Sequence, residues 1–393
     1  MSRGENRLAA SLLASVLVSV LAGAANAADV SRVNQGVALL HNGDADGAIQ
    51  LFTNALASDE TPSSVIPDIY YDRGNAYLAK HDSDRAIADF SKAISLRANY
   101  ADALVSRANA RLAKGDRTGA ITDFNAVISF DGGNGAAHAN LANAYNEMGE
   151  NEQALAEYNI AVRVTPSPFD YEGRGLIYLK MGKPDLAIAD LSQALTLKPD
   201  YQDALINRAN AYAAAGKYDD AIGDFTTALK TKPGDADLLM ERGNAYAKAG
   251  KADLASADYA AAARNKTNDP VLLRNMADAA LGQHDYAKAI DGYTQALAAS
   301  PNDATLLLNR GAAYAAQTQY ARAIADYTAG LKLAPGDARF YDNRGSAYGA
   351  TGKLDLAIAD YKAALRIQPG DPDAQRNLAG ATEAKNSGRT IRN

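Results

Sequence analysis

From about Asp29 onward, small and apolar residues recur along the chain with a period of 34. The sequence aligns on a small residue in the middle of each expected first helix: Gly36, Gly74, Ala108, Ala142, Gly175, Ala209, Gly243, Ala277, Gly311 and Gly345. Seven of the nine spacings are 34. The other two are 38, from an insertion around Ser63 to Ile66, and 33, from a deletion near Ser167. Both fall between units, where an added or lost residue disturbs no helix. Twelve residues after each small residue stands an alanine, from Ala48 and Ala86 through Ala323 to Ala357, in all ten units. Four residues on comes a ring or leucine, as in Phe90, Tyr158, Leu191 and Tyr259, and three further on usually another alanine. Those offsets lie on one face of a helix.

Each unit therefore predicts two helices. In the seventh, helix A carries Leu239, Gly243 and Tyr246, and helix B carries Ala255, Tyr259 and Ala262. Small residues let the two helices approach closely while rings fill the gaps. A turn such as Gly250-Lys251 separates them. A proline such as Pro199, Pro233, Pro301, Pro335 or Pro369 follows helix B and ends it, because proline lacks the amide hydrogen and clashes with the preceding turn.

These residues, in register through ten copies, resemble the tetratricopeptide repeat (TPR) family from about Asp29 to Asp371. The resemblance implies an all-α fold, a TPR solenoid: a right-handed superhelix of about ten helix-turn-helix repeats plus a C-terminal capping helix. The expected repeats are 29–62, 67–100, 101–134, 135–167, 168–201, 202–235, 236–269, 270–303, 304–337 and 338–371, with a cap over 372–386 and a disordered tail over 387–393. Arg111 and Ala280 depart from the family's helix-A aromatic, Gly330 replaces an alanine, and unit one has Arg32 and Leu39 at aromatic places. Those units are expected to be the looser ones.

The first 27 residues read as a signal peptide: Arg3 and Arg7, an apolar stretch from Leu8 to about Leu21, then Ala25-Asn26-Ala27 before Ala28. The stretch is shorter than the ~20 residues that a spanning helix needs. Cleavage, with a periplasmic or secreted mature chain and no integral membrane span in it, is the expectation; retention as an anchor is the alternative. Removing Arg3, Glu5 and Arg7 takes the charge from −6 to −7.

Composition narrows the chemistry. The chain has no cysteine, which excludes disulfides, thiolate metal sites and cysteine nucleophiles together. Basic residues gather into no dense stripe, so nucleic acid is not an expected partner. His41, His81, His138 and His284 are too far apart for a helical two-histidine zinc motif, and His81 and His284 fall in A–B turns and read as solvated turn residues. Gly132-Gly133-Asn134-Gly135 falls at a repeat boundary with no preceding strand, so it reads as a link and not a phosphate cradle. No catalytic, cofactor-binding or metal-ligating residue is assigned, and an enzyme is not expected.

One charged pattern repeats with the helices. The seventh position is arginine in seven units, with aspartate sixteen residues later: Arg73 with Asp89, Arg107 with Asp123, Arg174 with Asp190, Arg208 with Asp224, Arg242 with Asp258, Arg310 with Asp326, and Arg344 with Asp360. Where arginine becomes Met276 the partner becomes Gly292; Gln35 faces Leu51, and Leu141 with Glu157 is the imperfect case. Joint loss predicts that the two touch across the A–B interface as structural ion pairs, because a half-buried charge left alone costs about 3 to 5 kcal/mol.

In the family, helix-A positions line a concave groove where partners lie. Here they carry Asn75, Asn109, Asn140, Asn143, Asn207, Asn210, Asn244, Asn275, Asn309, Asn343 and Asn377. An amide offers donors and an acceptor, so a spaced row can grip the backbone of an extended peptide whatever its sequence; solvated, unengaged amides are the alternative. Asp68, Asp72, Asp102, Glu147, Asp203, Asp237 and Glu241 make the front half acidic, with few bases before Lys248, Arg274, Arg339 and Arg376. A partner with a basic segment fits that field. The family's lysine clamp for a C-terminal carboxylate is missing, since Asp72, Asn75, Ser106 and Asn109 stand there. The expected function is an exported, non-enzymatic scaffold or adaptor that binds proteins or extended peptides in cell-envelope assembly. The alternative is a docking subunit of an envelope export or polysaccharide-secretion machine.

Overall fold

A computed structural model describes residues 27–266 and 268–387. The signal-peptide segment up to Asn26 and the tail from Gly388 onward lie outside the described residues. The fold is all-α, and the described residues form 21 helices in two compact units, one up to Ala204 and one from Leu205.

The first unit holds five antiparallel pairs: α1 (Ala27–His41) and α2 (Ala45–Leu56), α3 (Ile66–Ala79) and α4 (Ser83–Leu96), α5 (Ala101–Ala113) and α6 (Arg117–Phe130), α7 (Gly135–Glu147) and α8 (Asn151–Val164), α9 (Pro168–Lys180) and α10 (Pro184–Leu197). The second holds α11 (Gln202–Ala214), whose first turn belongs to the preceding unit, with α12 (Tyr218–Thr231), then α13 (Ala236–Lys248) with α14 (Ala252–Ala263), α15 (Pro270–Gly282) with α16 (Tyr286–Ala299), α17 (Ala304–Ala316) with α18 (Tyr320–Leu333), and α19 (Ala338–Ala350) with α20 (Leu354–Ile367). The single helix α21 (Pro372–Ser387) closes the stack and includes Ser387, the first residue of the expected tail.

Local chemistry sets where these helices begin. Aspartate caps many of the N-termini: Asp44, Asp82, Asp116, Asp235, Asp269, Asp285, Asp303 and Asp337 each accept a hydrogen bond from a backbone amide in the first turn. Such a cap satisfies a donor that would otherwise have no intrahelical partner, contributing about 1 kcal/mol. The A–B turns need a left-handed residue. Glycine supplies it in seven of them, and His81, His284 and Thr318 adopt φ of 58–60° in the others.

Packing then follows the period. The ten alanines at the start of helix B are fully buried, as are the rings that follow them, Phe52, Phe90 and Phe124 among them. A methyl built on Gly243 would stand 2.6 Å from the Tyr259 ring, and one on Gly311 2.5 Å from that of Tyr327, so these rings seat against bare backbone. Each apolar cluster spans two successive repeats. Val33, Val37 and Phe52 pack with Ile69 and Ala76, and Tyr293 and Ala296 with Leu306 and Ala313. A single repeat cannot bury its own hydrophobic face, so stability is a property of neighbours. No described helix is long and apolar enough to cross a membrane.

Candidate functional site

The seven arginine–aspartate pairs all meet. In each, Nε and Nη2 of the guanidinium donate to the two carboxylate oxygens at 2.6–2.9 Å, a fork-to-fork contact between helix A and helix B of one repeat. The arginine side chains are only 16–22% exposed and the aspartates less. Hydrogen bonding to the carboxylate raises the proton affinity of Arg73, Arg174, Arg208, Arg242, Arg310 and Arg344 further above its ordinary value. An anionic ligand would find these forks occupied.

Two further contacts were not expected from the sequence. The remaining nitrogen, Nη1, reaches back to helix B of the preceding repeat. Arg73 donates to Thr53 (3.1 Å), Arg107 to Ser91 (3.0 Å), Arg174 to Asn159 (2.9 Å), Arg242 to Thr226 (3.1 Å), Arg310 to Thr294 (3.2 Å) and Arg344 to Thr328 (3.1 Å). Tyrosines flank the same guanidiniums: Arg73 lies 5.5 and 5.9 Å from the rings of Tyr70 and Tyr77, and Arg344 5.8 Å from both Tyr341 and Tyr348. These are cation–π distances. One arginine thus ties three helices together. A polar residue fifteen or sixteen places before the arginine, or twenty before Arg73, was the available signal, and Ala260 stands sixteen places before Met276.

The irregular repeats solve the same problem differently. Opposite Leu141, Glu157 pairs with His138, whose Nδ1 lies 2.6 Å from its carboxylate and whose Nε2 lies 3.3 Å from the Gly132 carbonyl. His138 is 4% exposed, whereas His81 and His284 are exposed in their turns. Arg111, where looseness was expected, donates to Asp123 at 2.7 Å and to the Gly119 carbonyl at 3.1 Å, doubling the ion pair that Arg107 makes.

The asparagines of the helix-A faces fall into two groups. Some are engaged within the fold. Asn143 accepts from the Tyr158 hydroxyl (2.5 Å), and Asn244 accepts from both Tyr259 (2.9 Å) and Asn275 (2.9 Å). Asn309 donates to Asp278 (3.1 Å), which also accepts from Tyr293 (2.5 Å), and Asn377 donates to Asp342 (3.1 Å). Asn75 bonds the Tyr71 hydroxyl, and both Asn75 and Asn207 are buried, so neither amide is presented at the surface. Asn109, Asn140, Asn210 and Asn343 form the second group, with no side-chain hydrogen bond among the described residues; Asn210 is exposed and the other three are half-buried.

The acidic residues divide in the same way. Asp68 holds Arg97 through both oxygens (2.7 and 2.9 Å) and accepts from the Tyr100 hydroxyl (2.8 Å). Asp237 pairs with Lys266 at 2.5 Å, and Glu147 lies 3.5 Å from Arg117. Asp102 and Asp203 are exposed. Asp72 is 2% exposed, and burial, reinforced by the charge of Asp68, pushes its carboxyl up to about 8. Of the bases, Arg339 and Arg376 pair with Asp337 and Asp373, Arg274 is half-buried, and Lys248 is exposed. Among the described residues no three histidine or carboxylate side chains gather as a metal would require.

The sequence matches the tetratricopeptide repeat family over residues 71–137, 172–235, 206–270, 274–338, 313–372 and 343–387, and a second tetratricopeptide repeat description over 136–168. No curated protein matches the sequence. Among solved structures the chain is similar to the C-terminal part of a TPR repeat-containing protein from Cytophaga hutchinsonii, at 21% identity over 60% of this chain and 98% of that one, TM-score 0.51. It is also similar to a tetratricopeptide repeat protein from Parabacteroides merdae (20% identity, 63% and 98% coverage, TM-score 0.49) and to the APC/C hetero-tetramer Cut9–Hcn1 (21%, 91% and 84%, TM-score 0.47). At these identities the likeness is one of fold. The fold is that of a protein-interaction scaffold, and the matched repeats cover most of the sequence: the chain belongs to the tetratricopeptide repeat family.

Proposed function

We propose that this protein is an exported, non-enzymatic adaptor that holds a protein or an extended peptide segment against the faces of its first helices, in the assembly of the cell envelope. One observation carries the reading. The repeats fill their arginine forks internally but leave Asn109, Asn140, Asn210 and Asn343 without side-chain partners among the described residues, Asn109 and Asn210 at one repeat position and Asn140 and Asn343 at another. An amide can donate to a peptide carbonyl and accept from a peptide amide at once, which suits sequence-tolerant binding. Around them lie exposed carboxylates such as Asp102 and Asp203, which favour a partner with a basic segment and give binding that weakens as salt is added.

Export rests on the n-region, apolar stretch and Ala25-Asn26-Ala27 of the first 27 residues. A periplasmic or secreted location follows from cleavage there. The N-terminal sequence of the chain recovered from the extracytoplasmic fraction should begin at Ala28; recovery of the intact chain from the cytosol would overturn the export reading.

Binding is tested by an in-cell photocrosslinker placed at Asn210 and, separately, at the exposed helix-B residue Asp220 of the same repeat. Capture of a partner at Asn210 alone is expected. Capture at Asp220 alone would remove the first-helix face as the binding surface.

A further inference from the structure

Asp72 is the one buried carboxylate in repeat 2 with neither a hydrogen bond nor an ion pair among the described residues. Its neighbour Arg73 points the other way, to Asp89 and Thr53. Arg97 is held by both oxygens of Asp68. No basic side chain among the described residues pairs with Asp72. On one side stand Ile69 and Ala76, packed with Val33 and Val37 of α1. On the other is a polar wall. The Tyr71 and Tyr100 rings lie 5.3 Å apart, the Tyr71 hydroxyl bonds Asn75 and Ser106, and the Asp72 carboxylate is near enough to raise the proton affinity of both tyrosines.

The arrangement is a stripe. Asp68, Asp72 and Asn75 follow one another at four and three residues along α3, and Asp102, Ser106 and Asn109 do the same along α5, so each set lies on one face of its helix. Asp102 is exposed at the edge, Asp68 is half-buried, and Asp72 is the recessed member. An isolated carboxylate withdrawn from water is destabilising unless a cation or a proton neutralises it. Among the described residues no cation pairs with it, which leaves the proton.

We propose that Asp72, flanked by Asp68 and Asp102, is the anchoring point for one lysine side chain of a bound peptide. This rests on the reading of the first-helix face as a peptide-binding surface and adds the chemistry of the partner. A lysine stem lies along apolar and aromatic surface while its ammonium reaches the recessed carboxyl. Seating the ammonium breaks the carboxyl O–H bond, the proton passes to solvent, and the carboxylate left behind pairs with the cation. The groups coupled electrostatically to Asp72 are Asp68 and Tyr71 on α3 and Tyr100 at the start of α5, and Asp102 is coupled in turn to Tyr71. Arg97 stays with Asp68.

The test uses the full chain and two probes, a fluorescein-labelled alternating lysine–serine peptide and its glutamine–serine counterpart. Titration near pH 7 by anisotropy, and by calorimetry in buffers of different ionisation enthalpy, reads affinity and proton release together. The lysine peptide is expected to bind with release of about one proton. Asp72→Asn should weaken it about tenfold or more and abolish the release. Asp220→Asn, which alters an exposed acid on the second helix of another repeat, should leave both unchanged. Wild-type affinity in Asp72→Asn, or binding with no proton released, overturns the anchor. Equal binding of both peptides overturns it too while leaving the peptide-binding face standing; failure of both peptides to bind counts against the face itself.

Discussion

Repeat 2 contains two buried aspartates seventeen residues apart in sequence, and they live in opposite electrostatic worlds. Asp89 is 6% exposed on helix B and receives both arms of the Arg73 fork, at 2.7 and 2.8 Å. Asp72 is 2% exposed on helix A, immediately beside that arginine in sequence, and receives nothing from it. Successive residues on a helix point about 100° apart, so adjacency along the chain separates these side chains. Burial alone therefore says little about a carboxylate. What matters is whether a donor shares its face, and the comparison divides this protein's charges into those that assemble the stack and those that remain for work.

The comparison breaks most sharply if Asp89 is put in the position of Asp72. Arg73→Ala should destabilise the first unit by about 3 kcal/mol, because a buried carboxylate is left without its cation. The reading is the loss of amide protection in α3 and α4 by hydrogen exchange, since array unfolding need not be a single transition. The Arg73→Ala/Asp89→Ala pair should lose much less than the sum of the singles; simple addition would show that the two residues are not coupled.

The converse change should act in the other direction. An acid whose pKa rises on folding keeps a proton that the unfolded chain gives up, so stability declines as the pH climbs from the ordinary carboxylate range, roughly 4, toward about 8. Asp72→Asn removes that decline. It should stabilise the protein by a few kcal/mol at pH 8 and by little at pH 4. A melting-temperature difference that stays constant between those two pH values would show that Asp72 is not protonated in the fold.

A milder version is found in repeat 4. His138→Ala leaves Glu157 without its 2.6 Å contact and should cost about 2 kcal/mol, whereas His138→Ala with Glu157→Leu should recover most of the loss. Chemical denaturation of the variants in parallel distinguishes the two. The smallest effect concerns the third member of the arginine contact. Thr226→Ala removes the 3.1 Å bond from Arg242 and should cost about 1 kcal/mol, read as faster exchange in α13 alone. Ala260→Thr should have no comparable benefit, because Met276 offers it no donor.

Much of this architecture was legible in the linear pattern because the fold is made of local contacts repeated at a fixed interval. Ala255, Tyr259 and Gly243 lie within a single repeat, so their spacing encodes their contact. The Arg242–Asp258 pairing was legible for the same reason, since Met276 and Gly292 change together. The threonine and tyrosine contacts of the same arginines were not seen. Thr226 belongs to the preceding repeat, and a residue's tie to its neighbour shows only when one repeat is read against the next. Spacing also says nothing of His138, whose burial depends on the helices packed over it.

The amino-acid sequence by itself determined the period, the helix pairs, the small-against-ring packing and the internal ion pairs, because each follows from helix geometry over a few tens of residues. Only the tertiary structure decided which polar groups remain available. Asn75 is buried and bonded while Asn109 is unbonded, and Asp68 is neutralised while Asp72 is not. The residue types at these places are the same. Their fates differ because solvation and partnership depend on what the neighbouring helices bring to each face, which the period of the sequence does not specify.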